Sequence, residues 1–472
     1  MQIFNLIKKN YKFLIFIFLL SYLLRLFLFN LFLSKNENYI TADSGAYKEF
    51  ALKIAQINNI KDNFYRLPGY PVFLAIFYKL FNNQDKIALY IQIFLSSFIP
   101  ILIFILSLII FPNIILVAKL SALLSAINVG FNIFSGLLMS ESLFIFLFLI
   151  FIILFFRTAS CDCHPELVSG SRNIIHHNKN IFFAGLFLGF AGLVRPVGHY
   201  LLFLSILLII LNNLNFKNYK LNIKNNFKKI LYLILGFTII TGPLLIKNYI
   251  YTGHLFFHTL PGKHFLYHSA ANIVMKTENL DYGQAKQKLV ILLNSEIKEL
   301  ENKKNITEIE TCIIAEKIAY KYIFSHSIIF IKHAITNILK TAFRPFSEEF
   351  LFIQEKNNIN NNLSNNINRY YLNLIPILNN KYLNLILIFE LIYIFFIFIG
   401  FILFFINFII NKNIFNDINI LSFIFLFIFL SLASGFARLR LPVEGLIIIL
   451  VVRAYALGYI RCNLCLKKKH IF

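Results

Sequence analysis

The sequence is poor in charge. Asp, Glu, Lys and Arg make up only 14% of its 472 residues, against 58% hydrophobic residues. A soluble globular protein with so little polar side-chain surface could not cover its exterior, so the composition excludes that class and points to a polytopic membrane protein. Acids are the scarcer sign: 22 Asp plus Glu face 45 Lys plus Arg, for a net charge of +23. In a soluble protein that excess would point to nucleic acid. Here no basic stripe is interleaved with aromatics in the manner of a nucleic-acid surface. The bases cluster in loops, where they set membrane orientation, and the heavy use of Ile, Asn, Lys and Phe looks like nucleotide bias. Cysteine is also scarce. Cys161, Cys163, Cys312, Cys462 and Cys465 form no disulfide framework. The first apolar run, Phe13–Leu33, is too long for a signal-peptide core and lacks a small-residue cleavage site, so it reads as a retained first helix.

What is present is apolar runs of membrane length. A spanning helix needs ~20 mostly apolar residues. Long candidates are Phe13–Leu33, Ile87–Phe111, Ile114–Val129, Gly136–Phe156, Ile230–Ile246, Leu383–Ile410, Ile420–Phe436 and Leu441–Ile460. Ile181–Val194 and Leu201–Leu211, separated by "RPVGHY", form a tight hairpin or re-entrant pair. Gly69–Phe81 is ambiguous, at ~20 Å as a helix. Lysine placement decides it. If this segment lies flat, Lys8, Lys9 and Lys12, the stretch Arg157 to Lys179, the stretch Lys217 to Lys229, Lys412, and Lys467 to Lys469 all fall on the cytoplasmic side, as positive loops do. The expectation is an all-α polytopic membrane protein of about ten spans, both termini cytoplasmic, in a bacterial inner membrane.

Three regions follow: residues 1–246 as an N-terminal transmembrane module, 247–382 as an extracytoplasmic loop domain, and 383–472 as C-terminal transmembrane helices with a basic tail. Residues 34–86 form a first outer loop carrying two interfacial helices. The second outer region holds a polar helical stretch, Asn279 to Lys321, and the asparagine-rich "EKNNINNNLSNNINRYY". The stretch "CDCHPELVSGSRNIIHHNKN" resembles the peptide encoded by palindromic mobile elements of some intracellular bacteria. It marks 158–180 as an insertion in a cytoplasmic loop, dispensable for chemistry.

The outer loop opens with "ENYITADSGAYKEFALKIAQ". Asp43 or Ser44 could cap a helix beginning near Gly45. Tyr47, Phe50, Ala51, Ile54 and Ala55 would then share one apolar face, suited to the bilayer interface. Asp43 could also be a catalytic acid, and the two roles are compatible. Glu141, in "MSESLF", lies just inside the outer end of its helix, where an ionisable group costs a few kcal/mol unless paired or wet. Arg195, Arg344, Arg438, Arg440 and Lys247 project towards the same outer side. The positive-inside rule disfavours cations there, and fixed cations are what a phosphate or pyrophosphate needs. His254, His258, His264 and His268 make two i,i+4 pairs that could hold zinc on a continuous helix. Pro261 and Gly262 interrupt them, so they read as interfacial histidines. A four-thiolate site from Cys161, Cys163, Cys462 and Cys465 is discounted, because one pair belongs to the insertion and the other to the tail.

Taken in order, Asp43 with Tyr47 and Ala51, "RLPGYPVFLAIFYKLF", "MSESLF", "GLVRPVG", "GPLLIKNYIYTG" and "ARLRLPVEG" resemble the polytopic type C glycosyltransferases (GT-C), the protein mannosyltransferase-like and aminoarabinose transferase-like enzymes. The likeness runs from about Asp43 to Gly445. It departs where the family often has Arg-Asn-Tyr and this chain has Lys247-Asn248-Tyr249. It departs again where the family often has Arg-Tyr-Arg and a second proline, against Arg438-Leu439-Arg440 and Gly445. A lysine keeps the charge but loses the bidentate fork.

The resemblance implies a membrane transferase that moves a sugar from a polyprenyl-phosphate carrier to a glycan (lipopolysaccharide among them), lipid or protein acceptor at the outer face. Asp43 would take the acceptor proton or orient the acceptor, with Glu141 as a second acid supporting a cation or the acceptor. Arg195, Arg438, Arg440, Arg344 and Lys247 would hold the donor phosphate. Tyr47, Arg66 and Tyr70 would line the acceptor or lipid rim. A divalent cation, Mg or Mn, is compatible with the resemblance, although Asp43 and Glu141 are a thin ligand set. Membrane lipids, and no nucleic acid, are the other expected partners. The rivals are a flippase of lipid-linked oligosaccharide, which expects polar residues deep in several helices and repeated halves, and a non-catalytic relative.

Overall fold

The computed structural model describes residues 2–41, 43–56, 64–112, 114–159, 171–212, 223–301, 306–348, 381–410, 415–432 and 435–469. Helices account for nearly all of these residues, and no strand occurs among them. The asparagine-rich stretch, and residues 160–170 of the expected insertion with Cys161 and Cys163, lie outside the described residues.

After a short leading helix, Gln2–Lys9, comes α1, Tyr11–Leu28, extended by a π-helical turn, Phe29–Leu33. Ile17, Ser21, Arg25, Phe29 and Leu33 recur every fourth residue and are each fully buried. That stripe packs α1 on the bundle, while Leu23 and Phe27 stay outside, as a helix in lipid requires. Between this span and the next lie α2, Ser44–Ala55, and α3, Gly69–Leu80. Two helices, α4 (Asp85–Ser96) and α5 (Ile99–Ile110), form one 26-residue apolar rod. The next pair, α6 (Ile115–Ile127) and α7 (Val129–Ser135), bends by 50°. The bend has a local cause: the Asn128 side chain caps α7 by accepting from the Phe131 N–H at 3.0 Å. Small residues of α6, Ala118, Ser121, Ala122, Ser125 and Ala126, are all buried and allow close packing.

The central helix α8, Glu141–Ala159, is followed by α9 (Ser171–Val194), α10 (Val197–Asn212) and α11 (Ile223–Thr252). The turn between α9 and α10 falls at Arg195 and Pro196, within the hairpin that "RPVGHY" predicts. A methyl group on Gly185 would sit 2.3 Å from the Leu233 carbonyl oxygen, so glycine is what lets α9 cross α11 backbone to backbone. At the C-terminal end are α15 (Lys381–Ile410), α16 (Phe415–Leu430) and α17 (Leu441–Lys469).

Between them lies a separate helical lobe of α12 (Tyr282–Glu301), α13 (Glu308–Ser325) and α14 (Ser327–Phe343). The expected single polar stretch is thus two helices, because Thr307 starts α13 anew with a reciprocal capping box to Glu310. The lobe has its own core, in which Leu266, Val274 and Leu289 meet Ala315 and Ala319. Pro261 opens a helical turn, Leu260–His264, instead of interrupting one, and a π turn, Phe265–Ala270, continues it.

The chain is a multi-pass membrane protein. Among the described residues, five helices are long and apolar enough to cross a membrane, six if the bent pair is one span, and four shorter apolar helices accompany them. Burial sorts them. The spans 85–110 and 141–158 are 67% buried, whereas 11–33, 226–252 and 384–409 are only 22–28% buried and present Ile, Leu and Phe outwards. Polar groups also lie within apolar helices: Arg25, fully buried, bonds back to Ser21, and Asp417 pairs with Arg453.

Candidate functional site

Asp43 is the N-cap residue of α2, yet its side chain bonds none of the helix N–H groups. The capping interpretation therefore fails for its carboxylate. Ser44 does the local work: its hydroxyl accepts from the Thr41 N–H at 2.8 Å and donates to the Leu138 carbonyl at 2.9 Å. The Leu138 N–H in turn reaches the Tyr39 carbonyl at 2.9 Å, and the Tyr47 hydroxyl meets that of Ser140 at 3.2 Å. These contacts pin the start of α2 to the segment that leads into α8.

The Asp43 carboxylate is thereby presented to two arginines. Arg66 donates from Nη2 to Oδ1 at 2.7 Å, and Arg438 from Nη1 to Oδ2 at 2.9 Å. The three side chains are partly open, at 29%, 15% and 24% exposed. Burial alone would raise the Asp43 pKa. The fields and hydrogen bonds of Arg438 and Arg66 outweigh it and hold the carboxyl well below the usual carboxylate range. Arg66 lies over the rings of Tyr47 (4.9 Å) and Tyr65 (5.3 Å), and Arg438 over Phe436 (5.2 Å).

The segment after α11 closes over this group. The Thr259 N–H donates to the Phe64 carbonyl at 2.9 Å, Lys247 Nζ stands 5.2 Å from the Phe64 ring, and Lys263 Nζ 5.4 Å from Tyr65. The His264 and His268 rings pack against one another at a 44° tilt, with centroids 4.5 Å apart. Burial chiefly lowers their pKa values, to about 4 and about 3; Arg438 contributes to both, His264 and Lys286 contribute to His268, and Asp43 partly opposes the shift. His258 is lowered to about 4 by burial and by Arg66.

A second ion pair lies deeper. Glu141, the first residue of α8, is 2.6 Å from Arg195 Nη1, in charge contact without hydrogen-bond alignment; its Oε2 is buried with no hydrogen-bond partner. The first residue of α3, Gly69, has no room for a Cβ, which would fall 2.6 Å from the Leu193 backbone. That approach sets α3 against the end of α9, beside Arg195. Tyr70 meets Tyr47 edge-on at 5.1 Å and donates to Gln92 at 2.9 Å.

The remaining two candidate arginines carry their own acids. Arg440 donates from Nε to Glu444 at 2.9 Å and from Nη1 to the carbonyls of Thr341 and Ala342. Arg344 pairs with Glu348, whose Oε1 also accepts from the Ala437 N–H at 3.3 Å. All four side chains are at most 6% exposed. They join the end of α14 to the start of α17 and so hold the loop that carries Arg438. The spacing of both pairs, i and i+4, was visible in the sequence, but Glu348 and Glu444 were overlooked.

The structure thus brings Asp43, Arg66 and Arg438 into contact, with Tyr47 and Lys247 beside Arg66 and its neighbours. Glu141 with Arg195, Arg344 and Arg440 are engaged elsewhere. Arg66, expected at the rim, shares Asp43. A divalent cation fits this arrangement poorly. Asp43 is neutralised by two guanidiniums and Glu141 by one, and no three His, Cys, Asp or Glu side chains group together among the described residues. The donor set suits an anion.

The fold resembles solved oligosaccharyltransferases. One is the Archaeoglobus fulgidus enzyme tethered to an acceptor peptide containing the NVT sequon (TM-score 0.54, 12% identity, covering 98% of this chain and 51% of that one). Another is the archaeal oligosaccharyltransferase AglB from Archaeoglobus fulgidus with an inhibitory peptide and a dolichol-phosphate (TM-score 0.53, 12% identity, 99% and 52%). The chain spans about half the length of these proteins, and at this identity the likeness is one of fold: a GT-C-like helical membrane architecture. No protein-family profile matches the chain, and no curated protein sequence matches it.

Proposed function

We propose that this protein is a membrane glycosyltransferase that moves a sugar from a polyprenyl-phosphate carrier to a glycan, lipid or protein acceptor at the extracytoplasmic face. The observation that carries this reading is the Asp43 carboxylate held between Arg66 and Arg438, partly open to water and beside apolar helices. One substrate has a lipid tail and a phosphate; the other arrives from water. A carboxylate next to two guanidiniums serves both. The archaeal enzymes of the same fold, solved with a dolichol-phosphate and with acceptor peptides, support a lipid-linked donor and a separate acceptor.

In the transfer step the acceptor oxygen forms a bond to the anomeric carbon as the bond from that carbon to the phosphate oxygen breaks. The electron pair leaves on the carrier phosphate, which Arg66 and Arg438 neutralise. The acceptor proton passes to Asp43. A single in-line displacement inverts the anomeric centre. Lys247, over Phe64, adds positive charge at the mouth of the site. Glu141 and Arg195 brace the end of α8 beneath the acceptor side, while Arg344 and Arg440 fix the Arg438 loop.

The test is to incubate purified protein with radiolabelled polyprenyl-phosphate sugars and envelope extracts. Label should leave the lipid carrier for an acceptor with wild type and stay on it with Asp43→Asn, the variant remaining membrane-inserted. Equal transfer by both would remove Asp43 from the mechanism. A flippase is the rival that Arg25 and the Asp417–Arg453 pair favour, since it expects polar groups inside apolar helices. It would carry label across a vesicle membrane still attached to its lipid.

A further inference from the structure

Asp43 offers Arg66 and Arg438 what a phosphate would offer them. Its two oxygens each receive a guanidinium N–H, at 2.7 Å and 2.9 Å. The pair is the more open set of arginines, at 15% and 24% exposure against at most 6% for Arg344 and Arg440 with their glutamates. An incoming anion can therefore compete at Arg66 and Arg438 without stripping a fully buried acid from its partner. Aromatic rings of Tyr47, Tyr65 and Phe436 support the two guanidinium planes and keep them in place when the anion changes.

Resting on the transferase reading above, we propose that the phosphate of the lipid-linked donor binds Arg66 and Arg438 by displacing the Asp43 carboxylate, so that donor arrival is what frees the base.

Three observations support the exchange. A carboxylate shared by two guanidiniums is held far below its usual range and is a weak proton acceptor; to act on an acceptor hydroxyl it must first shed a partner. A phosphate brings more acceptor oxygens than a carboxylate and so outcompetes it for a pair of forked donors. The side chain of Asp43 makes no bond to the α2 backbone, while the Ser44 contacts fix the main chain. The arginines are what orient the carboxylate, and it swings on a fixed pivot once they turn to phosphate. Until then Asp43 occupies the anion site, and acceptor meets a neutralised base.

Binding of undecaprenyl phosphate to the full-length protein in lipid nanodiscs tests this. Asp43→Asn should bind about tenfold more tightly than wild type, because the internal competitor that keeps the site filled is gone. Asp43→Ser should tighten binding in the same direction, and guards against a folding defect peculiar to Asn. Arg66→Ala and Arg438→Ala should each weaken it. If both Asp43 variants bind equally or more weakly while wild type still transfers sugar, the exchange is wrong and the transferase reading stands. If wild type binds no polyprenyl phosphate and transfers nothing, the transferase reading itself fails. Inorganic phosphate should compete only at far higher concentration; equal affinity for it would assign the arginines to free phosphate and overturn the proposal.

Discussion

The protein carries two kinds of arginine near the candidate site. Arg344 and Arg440 are sealed, each against its own glutamate four residues on, at most 6% exposed. Arg66 and Arg438 are partly open and both bond Asp43. One guanidinium per carboxylate neutralises charge and leaves nothing to do. Two partly open guanidiniums on one carboxylate present forked donors at an accessible patch, which is what an anionic substrate requires. The first set is architecture, joining α14 to α17; the second is the candidate site that this architecture presents.

Substitutions should separate the two sets. The largest effect expected is on activity. Asp43→Asn should slow sugar transfer by ~10²–10⁴-fold, the range for losing a general base, with thermal unfolding little changed, since a partly open pair contributes only ~0–1 kcal/mol. Next comes stability. Glu444→Ala leaves Arg440 buried without its acid and should destabilise by ~3–5 kcal/mol, read as lost membrane-inserted protein and a lower unfolding midpoint. Glu348→Ala should behave likewise and also loosen the Arg438 loop through Ala437. If Glu444→Ala were well folded but inactive, Arg440 would belong to the site instead.

Acid should act on the lobe beside the site. His258, His264 and His268 are lowered from 6.5 to about 4, 4 and 3, chiefly by burial. Between pH 6.5 and about 4 the unfolded chain therefore binds protons that the folded chain does not. Stability rises with pH across that window and falls as pH drops through it. Asp43, also depressed, adds stability above the ordinary carboxylate range that is lost only in stronger acid. Thermal melts from pH 7 to pH 4 should show a declining midpoint, flattened by His264→Phe with His268→Phe. The smallest effect expected is Lys247→Arg, which keeps the charge near Phe64 and should alter transfer by less than ~tenfold, about one pairwise interaction.

Much of the architecture was legible. Apolar runs gave the helical membrane class, and the Arg195–Pro196 turn followed from Pro and Gly between two such runs. Asp43, Arg438 and Arg66 were each singled out, but not as contacts: Asp43 and Arg438 lie 395 positions apart, and a single sequence carries no signal for that pairing. The cap at Asp43 failed because two charged donors outcompete helix N–H groups for a carboxylate. Pro261 opens a helical turn where its sequence context suggests a break, because proline fits the first turn of a helix. The i,i+4 spacing of Glu348 to Arg344 and of Glu444 to Arg440 is legible in the sequence, but spacing alone does not say that these pairs are sealed from solvent.

The most direct measurement is a double-mutant cycle on sugar transfer, using Asp43→Asn, Arg66→Ala and the two combined. At saturating donor, Asp43 takes the acceptor proton while Arg66 holds the departing phosphate, so the two losses should multiply in the double variant, as for residues with separate roles. A double variant no slower than the worse single variant would make the two residues one unit and contradict the account.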